Sequence, residues 1–212
     1  MTIRPGRART AGVRIAWQPV LPDRERRDQA DSLIEALVRE SSAASGTVRV
    51  GRRCERCGAT DHGRPIVIGA PVHASVSYAG ALIVVAVADA PHTVAVGVDA
   101  EHRGAARRGD LRGVIAPSRG SSTRQGTRQG TRHGTRQWIR QWTRVEAVLK
   151  ADGRGLAVDP GRVRIARTPR GVFGRIVEDG STAAHRASTS PPRLWRVRGP
   201  RGFVISLAVA SV

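Results

Sequence analysis

The sequence predicts an α+β protein in which two strand-rich parts lie before and after a central helix. Short runs of branched aliphatic residues, which are typical of strands, occur in both parts of the chain. Two longer segments carry apolar residues at a spacing of three to four, the period of an amphipathic helix. From this order we expect a pseudo-two-fold pair of similar α+β halves with the active site between them.

Shifts in composition divide the 212 residues into four segments. We expect a disordered basic tail at 1–10, an N-terminal α+β half at 11–104, a low-complexity basic insert at 105–136 and a C-terminal α+β half at 137–212. The insert repeats Thr-Arg-Gln-Gly from Thr123 onward. Because it is polar and punctuated by glycine, it cannot bury a core, and its first part is expected to be disordered. The insert either has no function of its own or provides a basic surface that binds an acidic partner.

The elements follow from local patterns taken in chain order. In the first half we predict strands at 13–20, 72–77 and 81–87 and a helix at 23–40 with Leu33, Ile34, Leu37 and Val38 on its apolar stripe. The run at 81–87 is continuously apolar, which favours a central strand. A further strand ends at Glu101, a second helix covers 137–151, and strands are predicted at 156–167, 171–177, 194–197 and 202–209.

Three carboxylates and one ammonium are expected to meet where the strand ending at Glu101 faces the second helix. Asp99 and Glu101 are two apart on a strand and therefore share a face. Glu146 and Lys150 are four apart on a helix and also share a face. Clustered carboxylates repel unless a cation lies between them, and oxygen ligands suit Mg²⁺. The cluster indicates chemistry on a phosphate ester or anhydride, although a surface pair beside an ordinary Glu–Lys helix pair would look the same.

Taken together, these motifs resemble the paired signature of 4′-phosphopantetheinyl transferases of the surfactin-synthetase-activating type. The signature is carried by Val-Gly-Val-Asp-Ala-Glu at 96–101 and Trp-Thr-Arg-Val-Glu-Ala-Val-Leu-Lys-Ala-Asp-Gly-Arg-Gly-Leu at 142–156. Upstream, His-Gly-Arg-Pro at 62–65 is similar to the family's His-Gly-Lys-Pro, and Ser-Val-Ser-Tyr-Ala-Gly at 75–80 is similar to its Ser-x-Ser-His-Ser-x-Gly. In that family one chain carries two similar halves.

The resemblance implies transfer of 4′-phosphopantetheine from coenzyme A to a serine of an apo acyl or peptidyl carrier protein, with release of 3′,5′-ADP. Asp99, Glu101 and Glu146 would hold Mg²⁺ against the diphosphate. Glu146 would also take the serine proton, and Lys150 would neutralise a phosphate oxygen. The carrier could serve fatty-acid, polyketide or nonribosomal peptide synthesis, and the sequence does not distinguish these.

Arg64, Ser77, Tyr78 and Lys150 are the positions that the resemblance assigns to coenzyme A. Arg64 replaces the family's lysine but keeps its charge and is able to grip a phosphate bidentately. Ser77 is expected at a turn, where its hydroxyl would meet a phosphate. Tyr78 replaces a histidine, so it offers a hydrogen bond without a positive charge. Val145 stands where the family often has lysine, and valine has no ionisable group to provide the proton shuttle assigned to that lysine.

The composition points to an acidic partner. The formal net charge is +19, nearly all of it from arginine, which suits nucleic acid, a phosphorylated cofactor or an acidic protein. Aromatic residues make up only 3%, which disfavours base stacking on single strands. The resemblance favours an acidic carrier protein. The alternatives are an arginine-rich nucleic-acid-binding protein, which needs none of the three carboxylates, and a decayed transferase without turnover.

We expect a cytoplasmic monomer that does not enter a membrane. No signal-peptide pattern follows the charged N-terminus. The longest apolar run, at 81–88, is too short to span a bilayer.

A Cys-x-x-Cys motif, Cys54 and Cys57, precedes His62 and suggests a zinc site. The chain has only two cysteines, however, and a closed site needs four ligands. His73 or His92 would have to complete it. The other interpretation is a pair of reduced thiols in a tight turn, as expected in the cytoplasm.

Overall fold

The computed structural model describes residues 6–41, 46–104, 131–177 and 190–211, and within them the protein is a mixed α+β fold made mostly of strands. The predicted α+β class is therefore confirmed. The first elements are β1 (Gly6–Thr10), β2 (Val13–Pro19), α1 (Arg26–Arg39), β3 (Arg49–Arg53), β4 (Arg64–Ile68), β5 (Val72–Ala79) and β6 (Leu82–Asp89). They are followed by β7 (Ala95–His102), α2 (Thr131–Asp152), β8 (Val163–Thr168), β9 (Gly171–Ile176), β10 (Arg193–Val197) and β11 (Phe203–Ala210).

These strands form two larger sheets and one hairpin. The first sheet has the order β1-β2-β6-β5, the second has the order β7-β11-β10-β9-β8, and β3 pairs with β4. All of the pairings are antiparallel. β5 and β7 are the edge strands at which the two larger sheets approach each other.

The two larger sheets pack face to face over a shared core. Ile15 of β2 and Val84 of β6 join Ile205 and Leu207 of β11 in one apolar cluster. Alternate residues of β6 point the other way, so Val85 belongs to a second cluster against α1. β6 lies between β2 and β5 and is buried along almost its whole length, which confirms the predicted central strand.

Each of the two sheets carries one helix on its outer face. Ile34, Leu37 and Val38 of α1 pack on the first sheet. Val148 and Leu149 of α2 pack on the second sheet, against residues of β8, β10 and β11. The predicted apolar stripes of both helices are confirmed, and the layers run helix, sheet, sheet, helix.

Several predicted boundaries are wrong. Gly6–Thr10 was assigned to a disordered tail, but it forms β1 on β2, with alternating exposure that places the arginines outward. The β3–β4 hairpin was not predicted. α2 begins at Thr131, within the predicted insert and before the expected start at residue 137. The strand predicted at 156–167 begins only at Val163, after two short 3₁₀ turns.

The predicted disorder of residues 1–5 and of the first part of the insert, 105–130, lies outside the described residues. Within the described parts of the chain, no helix combines the length and the apolar character needed to cross a membrane.

Candidate active site

The site begins with the close approach of α2 to β7. Residues 97, 99 and 101 of β7 share the face that meets the helix. Gly97 permits this contact, because a Cβ built there would lie 2.0 Å from the Ala147 carbonyl oxygen and 2.5 Å from the Ala151 nitrogen. The helix backbone therefore rests directly on the strand. Asp99 and Glu101, the next residues on that face, consequently meet the side chains of α2 at short range.

Asp99 is the buried centre of the site, with only 4% of its surface exposed. Lys150 Nζ donates a hydrogen bond to Asp99 Oδ1 at 2.7 Å, and Ser77 Oγ donates to the same oxygen at 2.9 Å. Asp99 Oδ2 is buried and has no hydrogen-bond partner among the described residues. Burial raises the pKa of Asp99, while Lys150 and Ser77 act in the opposite direction. An unsatisfied buried acceptor of this kind is a position where a cation would be favourable.

Glu101 and Glu146 lie beside Asp99 and are half-buried. Burial first, and then the charge of Asp99, raises the pKa of Glu101 from its ordinary 4.5 to about 7. The pKa of Glu146 is raised by the same two causes in the same order. Lys150 opposes both shifts. The structure thus brings all three predicted metal ligands, and Lys150, into one electrostatic cluster.

The three carboxylates do not form a closed cage, because their oxygens do not all lie within 4.8 Å of one another. The donor set nevertheless fits Mg²⁺. It offers oxygen ligands only, and one of these is the unsatisfied Asp99 Oδ2.

The raised pKa of Glu101 predicts a pH-dependent stability. In the folded state Glu101 keeps its proton up to about pH 7, whereas the unfolded chain loses it near 4.5. The folded state therefore binds more protons across this window, and the free energy of unfolding should fall as pH rises through it. Below pH 4.5 the contribution of Glu101 to the free energy of unfolding is fully present. We expect Glu101→Gln to flatten the fall, as measured by urea unfolding at a series of pH values.

The control for this experiment is Glu35→Gln on α1, where Glu35 forms an exposed ion pair with Arg39 at 2.7 Å. It should keep the wild-type pH dependence. If the free energy of unfolding falls equally with pH in wild type and Glu101→Gln, the titration of Glu101 is not the cause of the fall.

Two buried serines join the edge strands of the two sheets. Ser75 Oγ accepts from the Val98 backbone N–H at 3.0 Å, and Ser77 Oγ accepts from the Ala100 N–H at 3.1 Å. These hydroxyls satisfy backbone donors of β7 across the junction between β5 and β7. Because Ser77 also donates to Asp99, it fixes the carboxylate relative to the strand.

The predicted location of Ser77 is wrong. It was expected at a turn with its hydroxyl open to a phosphate, but it lies inside β5 and is 3% exposed. Its hydroxyl is occupied by Asp99 and by the β7 backbone. The contact that the structure gives Ser77 is therefore one that positions Asp99.

A cleft of about 480 Å³ lies next to the carboxylates, between the β3–β4 hairpin, β5 and the C-terminal end of α2. Five cationic side chains line it: Arg52, Arg56, Arg64, Lys150 and Arg154. Tyr78 also lines the cleft and is 43% exposed. Three of the four predicted coenzyme A contacts, Arg64, Tyr78 and Lys150, thus share one cavity. Glu101 and Glu146 do not line it, so Lys150 is the link between the cleft and the carboxylates.

Acidic partners hold several of these cations in place. Glu55 forms an ion pair with Arg64 at 3.2 Å, and Arg52 forms an ion pair with Asp31 of α1. Burial raises the pKa of Tyr78, and the charge of Arg52 opposes that shift.

The cleft positions Arg52, Arg56 and Arg154 were not predicted as functional residues. The signal available was their nearness to recognised motifs, since Arg56 lies within Cys-x-x-Cys and Arg154 follows the glycine that ends α2. The arginine excess of the whole chain hides that signal.

The cysteine motif forms a separate cluster with His62 on the loop between β3 and β4. The ligand atoms of Cys54, Cys57 and His62 all lie within 4.8 Å of one another. Neither His73 nor His92 belongs to this group, so neither supplies the fourth ligand that a closed zinc site would need.

No family model matches this chain, and no curated protein matches it either.

Proposed function

We propose that the protein transfers the 4′-phosphopantetheine group of coenzyme A to a serine of an apo acyl or peptidyl carrier protein and releases 3′,5′-ADP. The observation that carries this proposal is the double contact of Lys150, which bonds Asp99 at 2.7 Å and also lines the basic cleft. A carboxylate cluster and a phosphate-binding surface are the two parts that such a reaction needs. The motif resemblance supports the same assignment.

The cleft is the proposed coenzyme A site. Its volume of about 480 Å³ is typical of a small-molecule pocket. Arg64, Arg56 and Arg154 supply positive charge for the diphosphate and the 3′-phosphate, and an arginine fork fits phosphate oxygens in pairs. Tyr78 adds a hydrogen-bond donor at the wall of the cleft.

Asp99, Glu101 and Glu146 are the residues that would hold Mg²⁺, and the ion would supply charge neutralisation at the diphosphate. Glu146 accepts the proton of the carrier serine. The serine oxygen forms a bond to the β-phosphorus as the bridging P–O bond breaks and 3′,5′-ADP leaves. Lys150 neutralises charge on a phosphate oxygen during this step.

We also propose that the two halves form a pseudo-two-fold pair. Support comes from the layering, since each sheet carries one helix on its outer face. In this arrangement the active site lies where β5 of the first sheet meets β7 of the second sheet, and the bonds of Ser77 to Asp99 and Ala100 cross that junction.

The test is to incubate the protein with coenzyme A, Mg²⁺ and a panel of apo carrier proteins from fatty-acid, polyketide and nonribosomal peptide systems. We expect the intact mass of at least one carrier to increase by one phosphopantetheine, and a chelator should prevent the increase. An established transferase run on the same panel verifies that the carriers are competent.

If the established enzyme modifies the panel and this protein modifies no member, the proposed activity is wrong. Coenzyme A binding without transfer would then indicate a decayed transferase. Tight, steeply salt-dependent binding of DNA or RNA would favour the nucleic-acid alternative.

A further inference from the structure

The loop between β3 and β4 holds a second cluster that the proposed transfer reaction does not use. Among the residues that the structure describes, Cys54, Cys57 and His62 are the one group of three His, Cys, Asp or Glu side chains whose ligand atoms all lie within 4.8 Å. Both cysteines are free thiols, and Cys57 and His62 are exposed.

The loop backbone holds the two thiols on one turn. The Cys54 N–H donates to the Ala59 carbonyl, and the Gly58 N–H donates to the Cys54 carbonyl, both at 2.9 Å. Gly58 adopts a φ of 72°, which glycine reaches without strain, and so allows the chain to turn back directly after Cys57. Two cysteines separated by two residues are a spacing typical of zinc ligands.

His62 is oriented by its neighbour Asp61. Asp61 Oδ1 lies 2.7 Å from His62 Nδ1, so the carboxylate favours a proton on Nδ1 and leaves the lone pair of Nε2 free. Nε2 lies 3.4 Å from Cys57 Sγ. In a tetrahedral zinc site, with Zn–S of about 2.3 Å and Zn–N of about 2.0 Å, sulfur and nitrogen are about 3.5 Å apart. The observed separation matches that of two ligands of one zinc ion, and it is also that of a hydrogen bond between the two side chains.

We propose that Cys54, Cys57 and His62 bind one Zn²⁺ ion, with a solvent molecule as the fourth ligand. Two thiolates and one imidazole form a ligand set that binds Zn²⁺ in preference to Mg²⁺ or Ca²⁺. Asp61 acts as the carboxylate behind the histidine that is common in zinc sites. The fourth position falls to solvent, because no other His, Cys, Asp or Glu of the described residues joins the group.

The ion would hold the β3–β4 loop, which forms one wall of the cleft, in one conformation. Cys54 itself lines the cleft, as do Arg56 between the two cysteines and Arg64 just after His62. Bound zinc would thus fix the loop that carries these arginines. This inference is independent of the transfer reaction, since a zinc-braced loop would suit any anionic ligand of the cleft.

The test is metal binding by the reduced full-length protein, with Zn²⁺ and Co²⁺ as probes. We expect native mass spectrometry to show one Zn²⁺ per chain, and Co²⁺ to give the thiolate charge-transfer absorption and visible bands of a tetrahedral site. Cys57→Ser and His62→Ala should abolish the tetrahedral cobalt spectrum. Asp61→Asn should weaken zinc affinity by roughly 10–100-fold.

His92→Ala is the matched control, because it removes a histidine outside the cluster and should bind zinc as wild type does. Circular dichroism of each variant without metal separates loss of ligands from loss of the fold. Failure of the reduced wild-type protein to bind stoichiometric Zn²⁺ would overturn the proposal. So would wild-type binding by His62→Ala.

Discussion

Glu146→Gln is expected to slow carrier modification by about 10²–10⁴-fold, the range typical for loss of a general base. The substitution keeps the size of the side chain and removes its ability to take a proton or to hold a cation. The hydrogen bond from Lys150 to Asp99 does not involve Glu146, so the centre of the site should remain in place. The measurement is the initial rate of pantetheine addition, followed by mass spectrometry at saturating coenzyme A and Mg²⁺.

Glu35→Gln provides the matched control, since it makes the same chemical change on the exposed side of α1. Its rate should equal that of wild type. Because Glu146 is a half-buried carboxylate whose pKa is raised by burial, Glu146→Gln should fold at least as stably as wild type. A variant that folds normally and still modifies the carrier within a few-fold of the wild-type rate would show that Glu146 is not the base.

Gly97→Ala is expected to have the largest effect on stability of any single-methyl change in the site. The added Cβ would lie 2.0 Å from the Ala147 carbonyl oxygen and 2.5 Å from the Ala151 nitrogen. Both are backbone atoms, so no flexible side chain is able to yield, and α2 must move away from β7. Overpacking of this kind costs about 1–3 kcal/mol and occasionally more. We expect a loss at the upper end of this range, measured by urea unfolding.

The same shift should reduce activity, because it moves Glu146 and Lys150 away from Asp99. Gly51→Ala on β3 is the control, since a Cβ built at Gly51 meets nothing within 4 Å. Its effect on the free energy of unfolding should stay within about 0.5 kcal/mol. Equal destabilisation by the two substitutions would mean that close approach of α2 is not the reason for glycine at 97.

Local periodicity was sufficient to predict the elements that build the site. The valine-rich run before Asp99 indicated a strand, whose side chains alternate, and the three-to-four spacing from Trp142 to Leu149 indicated a helix. Both segments lie in elements of the predicted type. The same two periods placed Asp99, Glu101, Glu146 and Lys150 on facing surfaces. The helix and strand that carry the candidate site could therefore be predicted from sequence alone.

Other features depend on contacts between distant segments and left no local pattern. Ser77 contacts β7 from the edge of another sheet, and nothing in its neighbours indicates that bond. β1 has the sequence Gly-Arg-Ala-Arg-Thr, in which the outward arginines made a paired strand look like a basic tail. The cleft arginines were hidden for a related reason, because in a chain with 36 Lys and Arg residues a basic side chain carries little positional information.

The central claim is that Asp99, Glu101 and Glu146 hold one divalent cation beside a cleft that binds the phosphates of coenzyme A. The most direct test is calorimetric titration of coenzyme A into the protein with and without Mg²⁺, for wild type and for Glu101→Gln. We expect Mg²⁺ to tighten binding at least about tenfold in wild type, an effect of about 1.4 kcal/mol, and to change little in the variant. Binding that ignores Mg²⁺, or that responds equally in both proteins, would contradict the claim.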